Sequence, residues 1–226
     1  MVEHPISIDT IKSYKDIMHS ISRMQNGEIS KILSKMGIEY RLNYGVSIPH
    51  LRQLVTGFEP NNELAFILWE KDIRETKILA SILFENNTIT FEQAIEIAGK
   101  LNNHELVEQF SRNLFSRLPF LILLMEQWLE GTDWEKMLAL YSAGWYTKHH
   151  DGSIDIIKKL CYCYIDKLNA VENNPLHQSL LFILQSLSMH SELMRLEIKE
   201  KAQQLMSSEN CSIRRLGEEF LWLNVN

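Results

Sequence analysis

Apolar residues recur at three- and four-residue spacing along nearly all of this chain, and short polar breaks cut the pattern into pieces of helix length. The stretch from Tyr44 to Leu83 shows the pattern with its punctuation intact. Gly45 reads as a turn residue and Ser47 as an N-cap. Pro49 falls in the first turn, where a missing N–H costs nothing, and Leu51, Leu54 and Val55 supply an apolar face. Leu68-Trp69-Glu70 and Arg74 to Leu83 follow as two further helical segments. Before them, Ile8, Ile11, Tyr14, Met18 and Ile21 form one stripe. Ile29, Ile32, Leu33 and Met36 form another, ending at Gly37 in position for a left-handed cap. After Asn61 the expected helices run over approximately 61–70, 72–85, 91–101, 104–118, 119–130, 134–148, 153–169, 175–189, 191–207 and 211–223. Thr90 with Gln93 makes a capping box, Asp133 and Ser153 are the expected caps of their helices, and Asn173-Asn174-Pro175 is one of the breaks. No run of five residues alternates as a strand would.

Corresponding helices recur at roughly 35 to 45 residues, the period of HEAT-like repeats. The last unit, Cys211 to Leu221, is the most typical: Arg214-Arg215 near the helix start, the small Gly217 for close packing, then Phe220-Leu221. The expected fold is all-α, an α-α superhelix (solenoid) of about five or six HEAT-like helix pairs forming one domain over residues 1–226. An irregular all-α bundle is the competing architecture. Only 9 Gly and 5 Pro among 226 residues agree with either.

Composition narrows the class further. The N-terminal Met1-Val2-Glu3-His4-Pro5 has neither the basic flank nor the apolar core of a signal peptide. The longest apolar run, Phe120 to Met125, is far short of a membrane span. Three cysteines, an odd number in helical patterns, suit a reduced cytoplasmic compartment with thiols as small core residues. The net charge of −6 is awkward for a nucleic-acid partner. It is unevenly spread, with 13 acids against 6 bases in residues 61–135 and 10 of each in residues 136–226, so a local basic groove stays open.

Gly45-Val46, Pro49, Leu51 and Arg52, followed by Leu68-Trp69, Arg74-Glu75 and Leu79-Ala80, resemble the helix signatures of the AlkD-like DNA alkylation repair family, the HEAT-like-repeat alkylpurine glycosylases. The resemblance implies excision of cationic N3- and N7-alkylated purines from duplex DNA without the base extrusion common elsewhere. A cationic purine already leaves easily. Such chemistry needs a carboxylate near the anomeric carbon, to stabilise oxocarbenium-like charge and position water, with aromatic faces beside the sugar. Active members carry Trp-Asp-x-Val-Asp at a helix start. Here His104-Glu105-Leu106-Val107-Glu108 stands in that place, so the resemblance puts Glu108 at the catalytic carboxylate and His104 at the aromatic position. The family's Arg aligns with Met137, beside Lys136.

Each candidate has a plain alternative. His104 and Glu108 share a helical face at i, i+4, and a solvated pair suited to the helix dipole is the reading that the residues alone favour. Trp134, Tyr141 and Trp145 form either an aromatic wall along a groove or a core stripe, while Trp69 and Trp128 read as core. Arg112, Lys136, Trp145, Lys148, Arg214 and Arg215 are the candidate nucleic-acid contacts, although an arginine pair at a repeat start is also a structural habit. His149-His150-Asp151 lacks metal-ligand spacing, and Cys161-Tyr162-Cys163 is not C-x-x-C, so neither metal nor cofactor is implied.

Two functions follow from different classes. One is an alkylpurine DNA glycosylase with Glu108 as its carboxylate. The other is a non-catalytic HEAT-repeat module whose concave face binds DNA structure or a protein partner, with no membrane involved. The replaced tryptophan and the acidic net charge favour the second.

Overall fold

The computed structural model describes residues 6–37, 40–168 and 174–223, and among them the chain forms thirteen α-helices. No strand occurs there; a single bridge joins Leu42 and Ile73. No helix of the described residues is long and apolar enough to cross a membrane. The chain divides into two compact units, Met1–Ile89 and Thr90–Asn226.

The first unit holds α1 (Ile8–Arg23), α2 (Gly27–Lys35), α3 (Ile48–Leu54), α4 (Asn62–Trp69) and α5 (Arg74–Leu83). The Ser7 hydroxyl caps α1 by accepting from the Thr10 N–H. The buried face of α1 is Thr10, Ile17 and Ile21, whereas Ile8, part of the apolar stripe in the sequence, is 85% exposed. Gly45 lies at φ 71° directly against the Asn26 carbonyl at the start of α2, a position no side chain could share. The Tyr44 carbonyl accepts from the Asn26 N–H at 2.7 Å and fixes that approach. Ser47 does sit at the N-cap of α3, but its hydroxyl lies 2.9 Å from His50 Nδ1 and makes no cap hydrogen bond.

A buried ion pair locks the Tyr44–Val46 turn to α5. The Glu75 carboxylate is fully buried and accepts from the Tyr44 and Val46 N–H groups, each at 3.1 Å. Arg74 Nη1 bonds that carboxylate at 3.0 Å and the Val46 carbonyl at 2.8 Å. The Arg74-Glu75 signature of the sequence is therefore a clamp on the chain leading into α3.

The second unit contains α6 (Phe91–Gly99), α7 (His104–Asn113), α8 (Leu121–Trp128), α9 (Asp133–Thr147), α10 (Ile154–Lys167), α11 (Asn174–Ser188), α12 (Glu192–Met206) and α13 (Cys211–Leu223). Helix α9 is its hub and packs against α6, α7, α8, α10 and α11. The Thr90–Gln93 capping box forms as expected. At α9, however, the cap is Thr132, in a capping box with Glu135, and Asp133 is already the first helical residue. Ser153 precedes α10 with left-handed backbone (φ 59°) and gives no side-chain cap. Asn173, part of the expected break before α11, lies outside the described residues. Trp69 and Trp128 are core residues. Of the three cysteines only Cys161 is buried; Cys163 and Cys211 are exposed, so the reading of all three as core does not hold.

Replacing Glu75 by Ala leaves Arg74 charged in the interior and strips the Tyr44 and Val46 N–H groups of their acceptor. The expected loss is about 3–5 kcal/mol in a urea melt. A loss below about 1 kcal/mol would contradict the clamp.

Candidate functional site

Three neighbouring helices of the second unit converge on one cleft. Helix α7 begins at His104 because the Asn103 side chain accepts from the Leu106 N–H at 3.0 Å. The Thr132–Glu135 box starts α9, which packs on α7 and α11. Successive turns then bring Glu108, Gln109 and Arg112 from α7, Tyr141 and Trp145 from α9, and Gln178, Leu181, Phe182 and Gln185 from α11 around a cavity of about 370 Å³. Each contribution follows the i, i+4 or i, i+7 row that a helix offers to one side.

The aromatic side chains give the cleft its shape. Phe182 lies 5.4 Å, ring to ring, from both Tyr141 and Trp145. It comes this close because Gly144 has no side chain; a Cβ there would sit 2.5 Å from the Phe182 ring. The Arg112 guanidinium stands 4.6 Å from the centre of the Trp145 ring, and Lys148 Nζ is 4.6 Å from the centres of both Trp145 and Phe182. Cation–π attraction offsets part of the repulsion between these two charges. Neither cation forms an ion pair among the described residues. Partial burial, and secondarily Arg112, hold the Lys148 ammonium below its ordinary pKa.

Glu108 keeps an exposed side chain, yet the packed cleft wall removes part of its hydration. That desolvation, with the charge of Glu105 second, raises its pKa above the ordinary carboxylate value. Tyr141 is 8% exposed. Burial first, and Glu108 second, push its phenol up, so the hydroxyl stays protonated.

The candidate residues separate into two groups. Glu108, Arg112 and Trp145 line the cavity, and Lys148 stands over its aromatic rings. His104 is one turn before Glu108 but packs on Trp134 at 5.0 Å and does not line the cavity. Desolvation lowers its pKa, which disfavours the imidazolium. The expected Trp134–Tyr141–Trp145 wall is thus divided between two places. Lys136 lies 3.6 Å from Asp133. Arg214 donates to the Ser208 carbonyl, and Arg215 pairs with Glu219, whose second oxygen meets His177 Nε2 at 2.7 Å. The His177–Glu219 contact joins α11 to α13.

Sequence reasoning missed Gln178, Phe182 and Gln185. Their signal is a polar–aromatic row, Gln178, Phe182 and Gln185, on a helix otherwise dominated by leucine. The arrangement offers one carboxylate, one protonated phenol, two unneutralised cations and two aromatic faces. It suits a ligand that carries negative charge beside a centre able to become positive. Among the described residues no group of three or more His, Cys, Asp and Glu could hold a metal ion.

The all-helical array of the described residues is that of a HEAT-like repeat protein. A solved structure, described as belonging to a new family of proteins related to the HEAT-like repeat DNA glycosylases with affinity for branched DNA structures, matches it with a TM-score of 0.77. That match has 12% identity and covers 93% of this chain and 94% of the other, so it shows the fold. The model of the DNA alkylation repair enzyme family matches residues 17–191, and the chain belongs to that family. No curated protein sequence matches it.

Because Glu105 is one of the two causes of the raised Glu108 pKa, Glu105→Gln is expected to lower it in a carbon-detected NMR titration of the glutamate carboxyls. A raised carboxylate pKa stabilises the fold below the unfolded-state value and loses that stability as pH rises through the folded-state value. Glu108→Gln is therefore expected to raise the melting temperature near pH 7 and not near about pH 4, where the wild-type carboxyl is already protonated. A lower melting temperature near neutrality would contradict this electrostatic picture.

Proposed function

We propose that this protein binds duplex DNA at the α7–α9–α11 cleft and hydrolyses the N-glycosidic bond of a cationic alkylated purine. The observation that carries the proposal is the Glu108 carboxylate in one cavity with an aromatic wall and two unneutralised cations. Arg112 and Lys148 supply phosphate contacts within the cleft of an otherwise acidic chain. As the bond from sugar to base breaks, positive charge moves from the purine to the deoxyribose, and an ionised Glu108 is attractive to that charge. Water adds to the anomeric carbon, the bonding pair leaves with the base, and the carboxylate takes the water proton. The base departs neutral, so no strong acid is required. Only ionised Glu108 serves these roles. Activity is therefore expected to fall as pH drops through its raised pKa.

A second reading, binding of DNA structure without excision, draws support from two placements. His104 faces Trp134 rather than the cavity, and the Trp145 ring already carries two cations. The structural neighbour's stated affinity for branched DNA favours the same reading.

Release of 7-methylguanine or 3-methyladenine from methylated duplex separates the two. Glu108→Gln is expected to slow single-turnover release by about 100-fold. Arg112→Gln and Lys148→Gln are each expected to reduce the salt slope of duplex binding by about one. Equal background release by wild type and Glu108→Gln, with salt-dependent binding preserved, would leave the second reading standing.

A further inference from the structure

Tyr141 belongs to no family signature in this sequence, yet it brings a phenol hydroxyl to the cleft. Its side chain is more than nine-tenths buried and lines the cavity that Glu108 also lines. Its hydroxyl makes no hydrogen bond to another of the described residues. The ring is held against Phe182 at 5.4 Å, and Phe182 is in turn seated over Gly144. The phenol opens into the cavity that Glu108 also lines, where a ligand or an ordered water can meet its hydroxyl. Burial and the nearby Glu108 charge both keep its proton in place, making it a donor across the working pH range. In and over the cavity, α7 contributes the charged Glu108 and Arg112, the C-cap of α9 contributes Lys148, and the polar groups of α11 are the neutral Gln178 and Gln185.

We infer that the Tyr141 hydroxyl is a positioning group for the attacking water, holding it against the Glu108 carboxylate. This rests on the excision reading above. The phenol donates to one lone pair of the water and Glu108 accepts one of its protons, leaving the other lone pair aimed at the anomeric carbon. As the carbon–oxygen bond forms, the bond to the purine nitrogen breaks with its electron pair leaving on the base, and the water proton passes to Glu108. Two polar partners from facing helices meet the minimum for holding a water in a cavity of this size. They also set its direction, which a lone carboxylate does not.

Tyr141→Phe removes the hydroxyl and keeps the ring against Phe182. Single-turnover release of 7-methylguanine is expected to slow by about 10- to 100-fold, the range for a hydrogen bond in a charged network. Duplex affinity and melting temperature should stay at the wild-type values. The acid limb of the pH–rate profile should move to higher pH, because the ionised carboxylate loses part of the hydrogen-bonded chain that stabilises it. A measurable wild-type rate that Tyr141→Phe leaves unchanged, in size and pH profile, overturns the inference and spares the excision reading. Parallel losses of affinity and melting temperature would make the hydroxyl a packing group, which also overturns it. Background release from wild type itself removes the excision reading and this inference together.

Discussion

The missing side chain at Gly144 lets Phe182 of α11 come against α9, and the cleft is a consequence of that approach. With the phenyl ring seated there, Tyr141 and Trp145 each find an aromatic neighbour at 5.4 Å. Trp145 then presents a face on which Arg112 and Lys148 settle. A larger residue at position 144 would have to displace Phe182. Because Phe182 is only partly buried, such a change would reshape the cavity before it disrupted the core. The packing of three helices and the electrostatics of the site therefore share one origin.

The charge of the chain looks unfavourable for a polyanionic partner until its distribution in space is considered. A net charge of −6 says nothing about where unneutralised cations lie. Many lysines and arginines are committed to local pairs, as Lys158 is to Glu197 and Lys167 to Glu130. Arg112 and Lys148 instead rest on aromatic rings, which attract them without cancelling their charge. Glu108 also stands outside any ion pair among the described residues, and desolvation makes its ionised form costly. Charges kept in tension at one cleft mark it as the candidate site of this chain.

The helices were legible because their signals are local. Thr90 and Gln93 close a capping box from four adjacent positions, and Gly37 adopts φ 76° where the stripe before it ends. Where two local signals competed, the sequence misled: Thr132 and Asp133 are both good caps, and the reciprocal bond to Glu135 selects Thr132. The site was legible on α7, where Glu108 and Arg112 are one turn apart, and on α9 through Trp145. Its third wall was hidden, because Phe182 in a leucine-rich helix reads as core until α11 is known to face α9. His104 is a different case: the resemblance puts it at the aromatic position of the site, and in the structure its ring packs on Trp134.

The central claim is that the cleft stabilises positive charge on a DNA sugar through Glu108, and binding alone can test it. The relevant quantity is the affinity ratio between a duplex carrying a cationic pyrrolidine in place of one deoxyribose and the same duplex carrying an uncharged tetrahydrofuran. The account predicts that wild type prefers the cationic duplex by at least about 100-fold, as expected for a transition-state mimic, and that Glu108→Gln abolishes the preference. Equal affinity of wild type for the two duplexes would contradict it.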